Sequence, residues 1–319
     1  MTDAWQPAAS FEIIKSRARV LNQIRTFMAA RGVLEVETPI LGHATVTEPN
    51  IRSFRTKLHH PGGATTEEMF LQSSPEYSMK RLLASGSGPI FQIARVFRDG
   101  EAGRLHNPEF TMLEWYRPGF DHQQLMDELD ELLQCLQLSP ARRRTYASVF
   151  HEKIQIDPHR CDLADLESWA RNNGLEPGEH DRTVLLDYLF SHYITPALGI
   201  DQPEFIYDYP SCQAALARLS VTQPPVAERF ELFINGMEIA NGFNELCDAE
   251  EQRNRFAQDN ARRQDAGRPT CSPDEHLLAA LGKGLPDCAG VAVGIDRLLM
   301  AVLNKDAISA ILAFPIDRA

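Results

Sequence analysis

The dipeptide Asn235-Gly236, set between two apolar runs, constrains the fold of this 319-residue chain more than any other feature. A tight two-residue turn needs positive φ at both positions, which Asn and Gly tolerate, and it joins antiparallel strands. The sequence therefore predicts a β-hairpin over residues 228–243 with its turn at 235–236. In that register Phe233 lies opposite Glu238.

The hairpin register brings two acidic side chains together. Glu231 is predicted to lie diagonally from Glu238 on one face, where two carboxylates repel unless a proton or a cation bridges them. One interpretation is that Mg²⁺ binds both carboxylates together with nucleotide phosphates. The alternative is that the two glutamates are exposed at the edge of the sheet and bind no metal. Strict alternation points Asn241 to the other face, unless a bulge permitted by Gly242 re-aims it.

The apolar patterns in the rest of the chain predict helices interspersed with mostly antiparallel strands, which indicates an α+β fold. Helices are predicted over residues 11–31, 76–84, 121–138, 248–264 and 296–304, and strands over 33–41, 69–72, 91–97, 110–116, 205–209 and 290–294. Residues 139–200 are predicted to form a mostly helical insertion of weak functional content. Its basic run Arg142-Arg143-Arg144 is either a partner contact or, as is more common, a solvated face. We predict a single domain over residues 1–319.

The composition is that of an ordinary soluble protein, with 43% hydrophobic and 24% charged residues. A net charge of −12 disfavours a surface that neutralises nucleic-acid phosphates. No segment predicts a signal peptide or a membrane span. The six cysteines form no C-x-x-C pair, so we expect reduced thiols in a cytoplasmic protein and no zinc site.

Three segments in order carry the functional signal, and together they resemble motifs 1, 2 and 3 of the class II aminoacyl-tRNA synthetases. They are Arg31–Pro39, then Phe97-Arg98-Asp99-Gly100-Glu101 with His106–Glu114, and then Gly290–Arg297. Each alone is a weak match, but the three in order, with the hairpin glutamates before the third, are specific. The resemblance to the lysyl-tRNA synthetase catalytic domain covers residues 11–319 and implies an antiparallel sheet flanked by helices.

The resemblance implies an ATP site in which Arg98 and Arg297 are the catalytic cations. Arg98 would bridge the substrate carboxylate and the α-phosphate as charge develops there. Arg297 would contact the γ-phosphate and stack on adenine, with Phe110 on the opposite face of the base. His106 is expected at the terminal phosphate and Glu101 near adenine.

The same resemblance implies the remaining ligands. Glu231 and Glu238 would bind Mg²⁺. Glu76 would take the amino group near the substrate carboxylate, and Asn241 would help to hold that carboxylate. Tyr116 and Glu245 would bind the distal ammonium of a lysine-like substrate.

Three departures from the synthetases are informative. The catalytic helix begins at about residue 11, which leaves no room for the anticodon-binding domain. Gly100 replaces a glutamate, and Ala292 stands where the synthetases usually have glycine. By the resemblance Ala292 lies in the substrate pocket, where its methyl is expected to change substrate selectivity. In these respects the chain resembles the stand-alone paralogues of lysyl-tRNA synthetase that activate (R)-β-lysine with ATP. Those proteins join it to a lysine ε-amine of elongation factor P, a tRNA-shaped partner for which no anticodon reader is needed.

Two other functions compete with that interpretation. One is a truncated lysyl-tRNA synthetase-like ligase that activates an amino acid for another acceptor, and the other is a non-catalytic regulatory paralogue. Retention of Arg98, Glu231, Glu238 and Arg297 argues against the regulatory paralogue, because a pure binder needs no such set. Motif 1 implies a homodimer through residues 31–39, with a buried internal strand as the alternative.

Overall fold

The computed structural model describes residues 5–61, 66–176 and 181–319. Its helices are Phe11–Ala30 (α1), Glu76–Ala84 (α2), His122–Cys135 (α3), Tyr146–Ile154 (α4), Leu163–Asn172 (α5), Arg182–Leu189 (α6), Ala249–Asp265 (α7), Glu275–Lys283 (α8) and Ile295–Val302 (α9). Its strands are Leu34–Glu35 (β1), Leu41–Gly42 (β2), Arg55–His59 (β3), Thr66–Leu71 (β4), Ile90–Phe97 (β5), Glu109–Pro118 (β6), Arg142–Thr145 (β7), Glu204–Pro210 (β8), Val226–Ile234 (β9), Met237–Asn244 (β10) and Cys288–Gly294 (β11). The predicted α+β class, with antiparallel pairing dominant, is confirmed.

The chain divides into two compact units, which are described separately. The first comprises Met1–Gly119, Cys247–Cys288 and Ala292–Ala319, and the second Phe120–Leu246 and Ala289–Val291. In the first unit β5 pairs with β1 in parallel and with β6 antiparallel, and β2, β4 and β3 form a small antiparallel sheet. In the second, β9 pairs antiparallel with β10 and β8, and β8 runs parallel to β7. A single domain over residues 1–319 stays a prediction.

Helix boundaries follow local capping chemistry. Ser10 accepts a hydrogen bond from the Ile13 amide at the start of α1. Gly32, two residues after the end of α1, has φ +67°, a left-handed conformation that stops the helix from continuing. Asp121 and Gln124 form a reciprocal capping box at α3. The leucine and methionine side chains of α3 form one stripe, and all of them are buried: Leu125, Met126, Leu129, Leu132 and Leu133. In the described residues, no helix combines the length and the apolar character that crossing a bilayer requires.

The predicted insertion supplies a hydrophobic core of its own to the second unit. Tyr146 is fully buried and stacks on Phe190 at 4.6 Å between ring centroids. The same cluster contains Phe233 of β9 and Tyr209 of β8, so the insertion covers one face of the strands that carry the hairpin. Residues 177–180 of the insertion lie outside the described residues.

The basic run at 142–144 is a strand, which corrects the helical prediction for this part of the insertion. Each arginine has an acidic partner within the chain and stays partly exposed to solvent, so a solvated face and a partner contact both stay predictions. Arg142 donates to the buried Glu204 through Nε at 3.1 Å and Nη2 at 2.9 Å. Arg143 pairs with Asp127 at 2.6 Å, and Arg144 pairs with Glu152.

Candidate active site

The antiparallel β5–β6 pair carries the first group of candidate residues. Its register places Val96 opposite Phe110, Gln92 opposite Glu114 and Ile90 opposite Tyr116. Because side chains alternate along a strand, Phe110, Glu114 and Tyr116 share one face of β6. This alignment brings the predicted adenine-stacking ring and the predicted lysine-binding phenol onto one surface.

Arg98 follows β5 directly and is held over that surface. Its amide donates to the Pro108 carbonyl at 2.9 Å, and its guanidinium carbon lies 5.2 Å from the Phe110 ring centroid. Glu101 is 3.8 Å from Nη1, a distance for a weak ion pair. Within the described ranges, the buried Nε atom has no hydrogen-bond partner. A buried, permanently charged donor without an acceptor is costly, so this atom marks a place for an anionic ligand.

The Gly100 departure has a backbone cause. Gly100 adopts φ +83°, where a residue with a Cβ is strained, and its neighbour Asp99 is fixed in place. The Asp99 amide donates to the Arg52 carbonyl at 2.8 Å, and Arg52 Nη2 lies 3.1 Å from Asp99 Oδ2. The turn therefore brings the following residue, Glu101, towards Arg98.

Arg297 and His106 are brought together as predicted for phosphate ligands. Arg297 Nη2 lies 2.6 Å from His106 Nε2, and Arg297 Nε donates to the Leu105 carbonyl at 3.2 Å. Since a guanidinium only donates, Nε2 of His106 accepts and its ring proton is assigned to Nδ1. The buried Asp296 fixes the start of α9 by accepting from the Thr111 amide at 2.8 Å and by pairing with Arg17. Motif 3 is thereby anchored to β6.

A polar network surrounds the predicted amino-acid ligands of the first unit. Glu76 begins α2 and accepts from the buried Lys80 ammonium at 2.6 Å. Glu114 is 1% exposed and accepts from Ser74 at 2.6 Å and from the Tyr116 hydroxyl at 3.2 Å. The sequence reasoning missed Glu114, Ser74 and Lys80. Alternation could have identified Glu114, since it lies two residues before Tyr116 on a predicted strand.

Ala292 is partly buried in the first unit. Its methyl packs with Phe110 against the buried side chains of Ala94, Val96 and Met112. The position predicted to shape substrate choice is therefore in contact with the strand pair that carries Arg98 and Tyr116.

In the second unit the hairpin has the predicted turn, with φ +53° at Asn235 and +69° at Gly236. Phe233 lies opposite Glu238, as predicted. The register then shifts between Glu238 and Ala240, and Asn241 lies directly opposite Glu231. The bulge re-aims Asn241 onto the face of Glu231 and corrects the strict alternation.

Gly242 lies after the bulge and allows β10 to pack closely against Phe230 of β9. A Cβ at this position would lie 2.4 Å from Phe230 Cζ and 3.1 Å from the Gly290 carbonyl oxygen. The 2.4 Å separation is shorter than real Cβ contacts, so glycine allows the strand to approach the buried Phe230 ring this closely.

Arg229, which the sequence reasoning also missed, connects the predicted ligands of this face. It pairs with Glu231 and donates from Nε to Asn241 Oδ1 at 3.2 Å and from Nη1 to the Gln213 carbonyl at 2.9 Å. The Tyr209 hydroxyl donates to Glu231 Oε2 at 2.7 Å. Its position two residues before Glu231 on the same strand was the available signal.

The environment of Glu231 raises the pKa of its carboxyl above the ordinary glutamate value when no metal is bound. Burial raises the pKa of Glu231 to about 7, against the lowering effect of Arg229, and the nearby Glu238 carboxylate raises it further. The hydrogen bond from Tyr209 lowers it. A cation at this carboxylate would replace the proton.

The acidic residues of the second unit fit a metal that arrives with phosphates. In residues 5–61, 66–176 and 181–319, no group of three or more His, Cys, Asp and Glu side chains could hold a metal ion by itself. Mg²⁺ commonly uses one or two carboxylates and completes its octahedron with phosphates and water, so Glu231 and the exposed Glu238 fit it. Glu245, the predicted ammonium ligand, is 1% exposed at the end of β10.

Comparison with known proteins gives matches over the whole chain. The family model for class II tRNA synthetases (D, K and N) matches residues 3–318. The chain is 49% identical to the elongation factor P–(R)-beta-lysine ligase of Pectobacterium carotovorum, with 100% of this chain and 99% of that protein covered. It is 48% identical to the ligases of the same name from Photobacterium profundum, with 100% of both covered, and Erwinia tasmaniensis, with 99% of both covered.

Proposed function

The chain belongs to the class II tRNA synthetases of the D, K and N group, and we propose that it is the ligase that joins (R)-β-lysine to elongation factor P. The observation that carries the proposal is the end-to-end similarity, at 48–49% identity, to relatives that bear that name. Family membership implies ATP use. The unpartnered Nε of Arg98 supports a site for an anionic substrate in the first unit.

In the first step the β-lysine carboxylate attacks the α-phosphorus of ATP, and pyrophosphate leaves. Arg98 donates to the carboxylate and the α-phosphate, so that its contacts tighten as the phosphorus gains negative charge. Arg297 and His106 contact the terminal phosphates. Phe110 and the Arg297 guanidinium stack on the two faces of adenine, and Glu101 accepts from its amino group.

The family resemblance assigns ligands to both ends of the amino acid, with acceptors for its amino groups and a donor for its carboxylate. Glu76 accepts from the amino group near the carboxylate, and Asn241 donates to the carboxylate. Tyr116, oriented by Glu114, and Glu245 bind the distal ammonium, a cation that needs acceptors when it leaves water. Glu231 and Glu238 would hold Mg²⁺, which would supply charge neutralisation at the ATP phosphates.

In the second step a lysine ε-amine of elongation factor P attacks the carbonyl of the β-lysyl-adenylate, and AMP leaves. The attacking nitrogen loses a proton as the amide forms. This route needs no covalent enzyme intermediate, so no cysteine is expected to be essential. In the described residues no two cysteines form a disulfide. A location in the cytoplasm stays a prediction.

We propose a homodimer through residues 31–39, on the support of exposed apolar side chains in that segment and directly after it. Leu34 is 58% exposed in the edge strand β1, and Ile40 and Leu41 are also exposed. An apolar edge of this kind is suited to burial against a second copy. Light scattering that gives a monomer mass at working concentration would exclude the dimer.

The acceptor decides between this function and other amino-acid-activating ligases. Purified protein, ATP, Mg²⁺ and labelled (R)-β-lysine would be offered elongation factor P and bulk tRNA in one reaction. We expect label on the factor and none on tRNA, with pyrophosphate exchange in the absence of either acceptor. Label on tRNA alone would identify a tRNA synthetase, and absence of exchange would identify a non-catalytic paralogue.

Replacing Ala292 with glycine is expected to improve activation of α-lysine relative to (R)-β-lysine. The methyl packs against the buried cluster of Ala94, Val96 and Met112, and we expect it to crowd an ammonium on the α carbon and to leave room for one on the β carbon. One methyl decides preferences of about 10–200-fold, so slow use of α-lysine by the native protein is also expected. Pyrophosphate exchange with both isomers measures the ratio.

The matched control is Ala94→Gly, which removes a methyl from the same cluster on β5. An isomer ratio in Ala292→Gly that equals the native ratio would place selectivity elsewhere in the pocket, around Glu76.

A further inference from the structure

Arg229 is the common partner of two predicted ligands in the second unit. Its guanidinium pairs with Glu231, donates from Nε to Asn241 Oδ1 at 3.2 Å and donates from Nη1 to the Gln213 carbonyl at 2.9 Å. We propose that Arg229 is a positioning residue that fixes Asn241 for the substrate carboxylate and Glu231 for Mg²⁺. The proposal rests on the proposed function.

The contact with Arg229 determines which way the Asn241 amide faces. A guanidinium carries only donors, so the oxygen of the amide must lie towards it. The Nδ2 group is therefore turned away from Arg229, with two hydrogens to donate. A carboxylate needs such donors and would be repelled by the amide oxygen. Arg229 thus selects the donating orientation of Asn241.

The Glu231 carboxylate is fixed at both oxygens. Oε1 accepts from Arg229, and Oε2 accepts from the Tyr209 hydroxyl at 2.7 Å. Each oxygen of an ionised carboxylate retains lone-pair capacity beyond one hydrogen bond. The Glu231 side chain is therefore held in one rotamer, and its oxygens can still bind a cation. Because the side chain is already ordered, cation binding loses less side-chain entropy.

The plane of the guanidinium is itself held. Its central carbon lies 4.7 Å from the Tyr209 ring centroid and 5.9 Å from that of Phe243. Tyr209 in turn packs on Tyr146 of the insertion at 4.8 Å. A planar fork on an aromatic face can serve three acceptors in fixed directions, whereas an ammonium is a point charge without that geometry. Lysine at this position would keep the charge and lose the orientation.

The insertion thereby acquires a role in the chemistry. Through Tyr146 and Tyr209 it supports the arginine that orients both ligands, so residues 139–200 contribute more than the cover of a sheet face.

The test uses Arg229→Lys in the full-length protein, with Arg142→Lys as the matched control. Arg142 makes a comparable fork to a buried carboxylate, Glu204, in the same unit. Loss of one charge-assisted contact to each ligand is expected to raise KM for (R)-β-lysine about tenfold or more in pyrophosphate exchange. Mn²⁺ binding to the enzyme with a non-hydrolysable ATP analogue, read by electron paramagnetic resonance, is expected to weaken by a similar factor. The control should change neither.

Double mutants separate orientation from general stability. If Arg229 acts through Asn241, the KM effect of Arg229→Lys shrinks to within about twofold in an Asn241→Ala background. The Mn²⁺ effect shrinks likewise in a Glu231→Gln background. Additive effects in both backgrounds would overturn the proposal.

A second variant keeps the test decisive if Arg229→Lys does not fold. Asn241→Asp keeps an acceptor for Arg229 Nε but lacks the Nδ2 donor, so it should fold and lose at least tenfold in affinity for the amino acid. Normal amino-acid binding by Asn241→Asp would show that the inferred amide orientation is wrong. Exchange by the native protein with (R)-β-lysine tests the proposed function separately, so the two failures are distinguishable.

Discussion

Replacing Arg98 with alanine is expected to reduce ATP–pyrophosphate exchange by about 10²–10³-fold while the protein stays folded. The buried Nε has no protein acceptor among the described residues, and the ion pair to Glu101 is long at 3.8 Å, so the fold depends little on the side chain. Its charge acts on the carboxylate and the α-phosphate, where negative charge grows in the transition state. Exchange assays with saturating ATP and amino acid measure the loss.

Arg297→Ala is expected to lose activity by a similar factor, with a larger share of the loss in KM for ATP. Arg297 binds terminal phosphates and adenine in the proposed mechanism and also holds His106 at 2.6 Å. Loss of the direct contacts of Arg297 and loss of its hold on His106 are therefore both expected to weaken ATP binding.

Arg95→Ala is the control for both arginine variants. Arg95 lies in β5, is about half exposed and pairs with Glu109 at 3.6 Å, so its loss should leave exchange unchanged. Circular dichroism and thermal melting would establish that the variants are folded. Activity within a few-fold of native for Arg98→Ala or Arg297→Ala would refute the role assigned to that arginine.

Replacing Glu231 or Glu238 with glutamine is expected to raise the Mg²⁺ concentration needed for half-maximal exchange by about 10–100-fold. Even outer partners of metal ligands change metal affinity by about that factor when mutated, so a direct ligand should change it at least as much. The ATP requirement should rise in parallel. Folding of Glu238→Gln should change little because Glu238 is exposed, whereas Glu231→Gln removes the ion-pair partner of Arg229 and is expected to lower stability, so thermal melting accompanies the titration.

Glu228→Gln is the matched control for the metal pair. Glu228 lies on β9, the strand of Glu231, and accepts from the Asn244 side-chain amide, a bond that glutamine can also accept. Magnesium titrations of the three variants are compared at fixed ATP. If neither Glu231→Gln nor Glu238→Gln shifts the titration, the pair is a surface feature without a metal.

Much of the candidate site follows from periodicity and turn chemistry. The turn at 235–236, the pairing of Phe233 with Glu238 and the alignment of Phe110 with Tyr116 on one face of β6 are all local consequences of sequence. The contact between Arg297 and His106, 191 positions apart, was not itself predicted, although the family motifs assign both residues to the terminal phosphates of ATP.

The site's second layer could not be predicted in this way. Glu114 and Ser74 are 40 residues apart, and Arg229 and Gln213 are 16 apart and on different elements. Nothing in either segment indicates its partner, because these contacts exist only after strands and loops have packed. The insertion shows the same limit, since its composition does not reveal that Tyr146 packs on Tyr209, the residue that donates a hydrogen bond to Glu231.

The sequence by itself determined the α+β class, the hairpin, the helical stripes and the family, because each is written in residue spacing over short distances or in motif order. The tertiary structure alone decided the face of Asn241. One extra residue in β10, at the shift between Glu238 and Ala240, reverses every later side chain of the strand. That shift depends on how the hairpin packs, including the close approach of Gly242 to Phe230, and packing is a property of the folded chain.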